Sequence, residues 1–342
     1  MNNPVKRSTP LKTLAAGALV AALLAGCTPD LPPLTVDQDQ VDAPGPVLTE
    51  QQGVEIAAAV GEELEGADKD MDAAALPPRV TGPALAIRKA EYTIAKAQKE
   101  PEAIMELPAE LQSLFLSQAP DWPRTVFAVT QRPENLESER FIVLTQESAR
   151  ANYALWAWFT LFPGIEVPTF PSAETGTTDF TVLDEALGLS PKDALTQYAD
   201  VLANPTDSKF KDVFGKEADP FMTELTDRRK SREEAAKQVK GSYKETFTAG
   251  DDFRTLKTID GGAVVVGTIT TTETLLGEKG SIIAPDDIEK AFLPADFKAT
   301  NGLIVKRTAI VGIYLPAKDS EETPRAIGRI IRTTGAEIPP KK

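Results

Sequence analysis

The sequence predicts an α+β fold in two domains, each with helices packed on a curved, mostly antiparallel sheet. Three observations carry this expectation. About 290 residues follow residue 49, more than a single core usually needs. Helical periodicity gives way to β-branched runs, and that order occurs twice along the chain. The strand-like runs lie near one another in sequence, as in hairpins and meanders.

The first domain is expected over residues 50–180. From Gln51 to Glu65, the spacing of Val54, Ile56, Ala57, Val60 and Leu64 is helical. From Thr81 to Lys99 the many Ala, Lys and Arg favour a second helix, and Leu107 to Leu116 reads as a third, short one. Val126 to Thr130 and Phe141 to Thr145 then form a predicted hairpin around the polar stretch Arg132 to Glu139. Ala151 to Gly164 follows, apolar on both strand faces, with Tyr153, Trp156, Trp158 and Phe159. A charge-free segment of that kind fits a buried central strand better than an aromatic platform for a ligand.

The second domain is expected over residues 181–339. Ser190-Pro191-Lys192-Asp193 has a capping Ser, a Pro at the first helical position and an acidic third residue, the marks of a helix start. Leu195, Tyr198, Val201 and Leu202 give that helix one apolar face. Pro220 to Tyr243 is a heavily charged helical stretch, with Glu233, Glu234, Lys237 and Lys240 on a solvated face. Eight of the nine residues from Val264 to Thr272 are β-branched, as in a long half-buried strand, and Gly261-Gly262 makes the turn before it. Leu303 to Leu315 and Ile327 to Thr334 are its expected neighbours, with a short helix over Pro285 to Lys290.

Chemistry is constrained mainly by what is missing. The chain has no histidine, which removes His-dependent triads and every His-ligated metal site. Its one cysteine, Cys27, excludes internal disulfides and thiolate-rich metal centres. Ser208-Lys209-Phe210-Lys211 satisfies a Ser-x-x-Lys spacing but lacks the Ser-Asp-Asn and Lys-Thr-Gly partners of penicillin-binding enzymes. Asp68, Asp70 and Asp72 imitate the start of a calcium loop whose sixth and twelfth positions hold Ala73 and Arg79, where Gly and Glu are required. No catalytic residue, metal ligand or cofactor is assigned.

The N-terminus carries the most specific chemistry. Lys6, Arg7 and Lys12 precede an uncharged run of 14 residues from Thr13 to Gly26, too short to span a bilayer comfortably. That run ends in Leu24-Ala25-Gly26-Cys27, which resembles the lipobox of bacterial lipoproteins. The resemblance implies a signal peptide over residues 1–26, cleavage before Cys27 and a diacylglycerol thioether on its sulfur. Two or three acyl chains make a stable anchor where one holds marginally. Residues 27–49 are then the lipidated cysteine and an acidic, Pro-rich tether that stands away from the membrane in extended form. After Gly26 the chain has 34 basic and 51 acidic residues, a net charge of −17, which disfavours nucleic acid and anionic lipid as partners. Covalent lipid on Cys27 is the expected hold on the membrane.

The helix-then-meander order resembles, at the level of topology, the tandem domains of the nuclear transport factor two-like superfamily, and the acidic two-domain layout resembles surface lipoproteins of Gram-positive bacteria. Together these imply a protein on the outer face of the bacterial cytoplasmic membrane, binding or scaffolding an envelope protein or a small ligand without catalysis. Two alternatives stay open. A solute-binding lipoprotein of an ABC importer requires two lobes with parallel strands, and a glycan hydrolase requires only two carboxylates at set distances.

Overall fold

The computed structural model describes residues 45–178, 185–214 and 219–339. Residues 44–342 form one compact unit. Eight antiparallel strands make one curled sheet, β1 (Leu111–Leu116), β2 (Arg124–Thr130), β3 (Arg140–Gln146), β4 (Ala154–Leu161), β5 (Ser242–Lys257), β6 (Ala263–Leu276), β7 (Gly302–Leu315) and β8 (Arg325–Glu337). Their spatial order is β1-β2-β3-β4-β8-β7-β6-β5. Helices α1 (Glu50–Asp70) and α2 (Gly82–Gln98) precede the first four strands; α3 (Pro191–Ala203) and α4 (Pro220–Gln238) precede the last four, and the single-turn α5 (Asp287–Lys290) lies between β6 and β7. The boundary expected near residue 180 lies outside the described residues, and the sheet runs across the two halves of the chain.

The local chemistry accounts for most elements. Thr49 and Gln52 form a reciprocal capping box that starts α1. Ser190 accepts a hydrogen bond from the Asp193 N–H and Pro191 opens α3, as the sequence predicts. Leu195 and Tyr198 of α3 are fully buried against Val265, Ile269 and Val311 of the sheet. Along β6 and β7 the odd-numbered residues face α3 and α4, while Val264, Val266 and Ile310 join the other core. Strand alternation therefore divides one sheet between two apolar clusters.

Two expectations are corrected. Leu107 to Leu116 was expected to be helical, yet Leu111–Leu116 is the edge strand β1. Phe115 stacks on Phe170 with ring centroids 4.2 Å apart, whereas Leu114 packs into the space beside Gly53 of α1. Neighbouring side chains thus serve opposite faces, and pairing with β2 overrides the helical preference of Leu and Gln. The charged helix expected to reach Tyr243 ends at Gln238, and Ser242 begins the 16-residue strand β5, where the sequence predicts no strand. Glu233, Glu234, Lys237 and Lys240 are exposed, as expected.

Strand β4 is the centre of the molecule. Tyr153, Trp156, Trp158 and Phe159 are all buried, which fits the central-strand reading of that segment. Phe159 stacks on Phe141 at 5.0 Å and lies over Gly312 of β7 and Gly328 of β8. A Cβ on Gly312 would stand 2.2 Å from the Phe159 ring, so only glycine admits the aromatic there. β4 pairs with β8 only at Thr160↔Arg329 and Leu161↔Gly328. Below that point the strands part: Leu155 N–H donates to the Arg79 carbonyl at 2.8 Å, Thr81 N–H donates to the Leu155 carbonyl at 2.9 Å, and α2 packs against both strands. At the far edges, Thr177 N–H donates to the Leu116 carbonyl and Lys257 N–H donates to the Thr178 carbonyl, so one short segment stitches β1 to β5.

Candidate functional site

An open cleft of about 1150 Å³ lies where the two halves of the chain meet. The chain leaving β4 (Phe162 to Glu166) forms one wall, and the end of α3 with the loop from Pro205 to Phe214 forms another. The first turn of α4 supplies Asp219, Pro220, Met222 and Thr223; the β7–β8 connection and the start of β8 supply Glu321, Glu322, Thr323, Arg325 and Ala326. Ile165 also lines a second hollow of about 430 Å³, bordered by Ser113, Phe115, Glu139 and Phe170, so the two adjoin.

Several lining groups are fixed in place. Asp219 caps α4, accepting from the N–H groups of Phe221 at 2.8 Å and Met222 at 3.1 Å. Its second oxygen accepts from the Tyr198 hydroxyl at 2.6 Å. Burial, reinforced by the Asp219 charge, holds the Tyr198 phenol well above its ordinary range, so it stays a donor. Arg325 donates to Glu322 at 2.8 Å and its guanidinium sits 4.4 Å from the centre of the Tyr314 ring. Tyr314 in turn donates to Asp260 at 2.6 Å. Lys211 donates to the Thr206 carbonyl at 3.2 Å. Glu166 and Glu321 have no ion-pair partner among the described residues.

Beneath α4 the contact with the sheet is ionic. Phe221, Leu225 and Ala236 are the buried apolar residues of this helix among those described, while Arg228, Arg229 and Arg232 reach inward. Glu224 receives both Arg228, at 2.8 Å, and Arg329 of β8. Arg229 donates to Glu245 and to the Leu202 carbonyl, and Arg232 to Glu289, which is fully buried. Arg307 of β7 donates to Glu273 at 2.7 Å. Burial, with the nearby Arg307 charge, pushes the Arg228 guanidinium down; around Arg232, Glu289 and Glu273 outweigh burial and push it up.

A second buried network sits where β4 and β8 part. Glu91 of α2 accepts from Arg88 at 2.9 Å and from Arg332 of β8 at 3.0 Å. Arg88 also donates to the Met105 carbonyl at 2.9 Å and lies 4.9 Å from the centre of the Trp158 ring. Burial pushes the Glu91 carboxyl above its ordinary range, against the pull of Arg88 and Arg332. The network joins the two halves of the chain through a single carboxylate.

Sequence-predicted features fall in three places. Leu24, Ala25, Gly26 and Cys27 lie outside the described residues. Asp68, near the end of α1, accepts from Tyr92 at 2.6 Å and stands 3.6 Å from Arg88, while Asp70 and Asp72 are exposed. Among the described residues no group of three acidic residues could hold a metal ion, and no helix is long and apolar enough to cross a membrane. Ser208 is buried, its hydroxyl donates to Asp200 at 2.5 Å and its carbonyl accepts from the Lys211 backbone N–H at 3.3 Å, so the Ser-x-x-Lys spacing belongs to a turn. Sequence reasoning missed the cleft; its nearest signal was Asp219-Pro220, a capping residue followed by Pro at the first helical position.

A family model described as Domain of unknown function (DUF8094) matches residues 44–337. The chain belongs to this family. The match covers every strand and helix of the DUF8094 unit together with the cleft between its halves. No curated protein and no solved structure matches the chain.

Proposed function

We propose that this DUF8094 protein is a lipid-anchored binding protein of the bacterial envelope that holds a partner or ligand in the cleft between its halves without chemically changing it. The carrying observation is the cleft itself, large, open and lined by fixed polar groups and apolar side chains. The halves, 50–180 and 181–339, are read as two α+β units sharing one sheet, each with helices on four strands as in nuclear transport factor two-like domains. Cys27, behind Leu24-Ala25-Gly26, carries the lipid, and residues 27–49 tether the body to the outer face of the membrane. The importer alternative is disfavoured because it calls for parallel strands, and all seven strand pairings of the described sheet are antiparallel.

The binding claim predicts that protein extracted from membranes in mild detergent carries a bound species in native mass spectrometry. Thr223→Trp, which fills the cleft from an exposed position, should remove it. An identical spectrum for wild type and Thr223→Trp would contradict the reading. For the anchor, Cys27→Ala should abolish incorporation of a labelled fatty acid and leave the leader uncut; lipid labelling that survives this change would refute it.

A further inference from the structure

Among the described residues the cleft lining carries four carboxylates and two cations, a net charge of −2 that favours a cationic occupant. Arg325 pairs with Glu322 and stacks on the Tyr314 ring, whereas Lys211 donates to the Thr206 carbonyl and has no carboxylate partner among the described residues. Of the four carboxylates, Asp219 is used by Tyr198 and the helix cap, and Glu322 by Arg325. Glu166, after β4, and Glu321, in the β7–β8 connection, remain exposed and without an ion-pair partner among the described residues. The lining also holds the apolar residues Phe162, Ile165, Val201, Phe214 and Met222. The volume of about 1150 Å³ exceeds the roughly 300–1,000 Å³ of most small-molecule pockets, and the hollow beyond Ile165 lengthens it.

We propose that the cleft receives an extended peptide segment of a partner protein in which Lys or Arg alternates with apolar residues, the cations meeting Glu166 and Glu321 and the apolar side chains meeting the apolar lining. This rests on the binding reading above and goes beyond it by naming the ligand class. A chain with a net charge of −14 adds long-range attraction for such a segment, and that attraction falls as salt is raised.

The test uses the full-length protein in detergent and a fluorescein-labelled heptapeptide of alternating leucine and lysine, read by fluorescence anisotropy. Two further heptapeptides replace lysine by glutamate or by serine, and cadaverine serves as a small cation. The lysine peptide should bind best, with an affinity that falls as salt rises. Glu166→Gln combined with Glu321→Gln should weaken it by roughly three- to tenfold, the range of two partly exposed ion pairs. Glu233→Gln with Glu234→Gln, on the outer face of α4, should leave it unchanged, and Thr223→Trp should abolish it.

Equal loss in the Glu233/Glu234 variant would reveal unspecific adsorption and overturn the proposal. Equal binding of the glutamate or serine peptide, still blocked by Thr223→Trp, would overturn the charge assignment while sparing the binding reading. Competition by cadaverine at peptide-like concentration would overturn the peptide assignment. If no peptide binds although extracted protein carries a species that Thr223→Trp removes, the proposal falls and the reading stands; if that species is absent too, both fall.

Discussion

Glu91→Ala is expected to lower the free energy of unfolding by about 3–5 kcal/mol in urea denaturation, because it removes the buried carboxylate that the fully buried Arg88 and the part-buried Arg332 share. Glu91 and Arg88 are fully buried, and Arg332 reaches the same carboxylate from the other half of the chain. Arg88 retains Asp68 at 3.6 Å and the Met105 carbonyl, whereas Arg332 keeps only the carbonyl of its neighbour Ile331. Removing all three charges together, as Arg88→Met, Glu91→Leu and Arg332→Met, should destabilise less than removing the carboxylate alone, since the charge that then loses its ion pair is Asp68, which is part-exposed and keeps the Tyr92 hydroxyl. A single-variant loss below about 1 kcal/mol would mean that water or Asp68 takes over the role of Glu91.

Phe159→Ala should be of similar size, about 3–5 kcal/mol, the range for deleting a buried aromatic ring. This ring is fully buried, stacks on Phe141 and fills the space left by two glycines on β7 and β8. It therefore binds the first four strands to the last four where their backbone ladder is only two residue pairs long. The converse change, Gly312→Val, should also destabilise, because its Cβ would stand within 2.2 Å of the ring. Combined with Phe159→Ala, part of that penalty should return, since the valine enters the vacated space. Strict additivity of the two changes would contradict the contact.

The elements that sequence made legible are those whose pattern is local. Ser190-Pro191 announces α3, the β-branched run announces β6, and the polar stretch between two apolar runs announces the β2–β3 hairpin. Strand β1 was not legible because Leu111–Leu116 has no strong preference, and its form depends on β2 and on Gly53 and Phe170 beyond it. Strand β5 was missed although Gly241 stands at the break; a glycine just past Gln238 is a helix-stop signal. The continuity of the sheet was hidden for a stronger reason. Pairing of β4 with β8 joins residues about 170 positions apart, and no periodicity within either strand encodes it.

The cleft was illegible on the same grounds. Glu166, Lys211 and Glu321 come from three separate connections and Thr223 from the first turn of α4, and each looks like an ordinary surface residue in sequence. Only the fold brings them together. The buried ions show a partial exception: Arg88 and Glu91 at i,i+3, and Glu224 and Arg228 at i,i+4, are visible as helical pairs. What sequence does not reveal is that the sheet approaches both pairs from the other side, through Arg332 and Arg329.

The cleft is expected to be occupied in intact cells. The most direct measurement places a photoreactive benzophenone amino acid at position 323, an exposed residue of the β7–β8 connection that lines the cleft, and at position 233, on the exposed face of α4, in separate full-length variants expressed in intact cells. Irradiation should give a discrete crosslinked species from position 323 that is absent from position 233 and is competed by the leucine–lysine heptapeptide. The same products from both positions, or none from position 323, would contradict a binding role for the cleft.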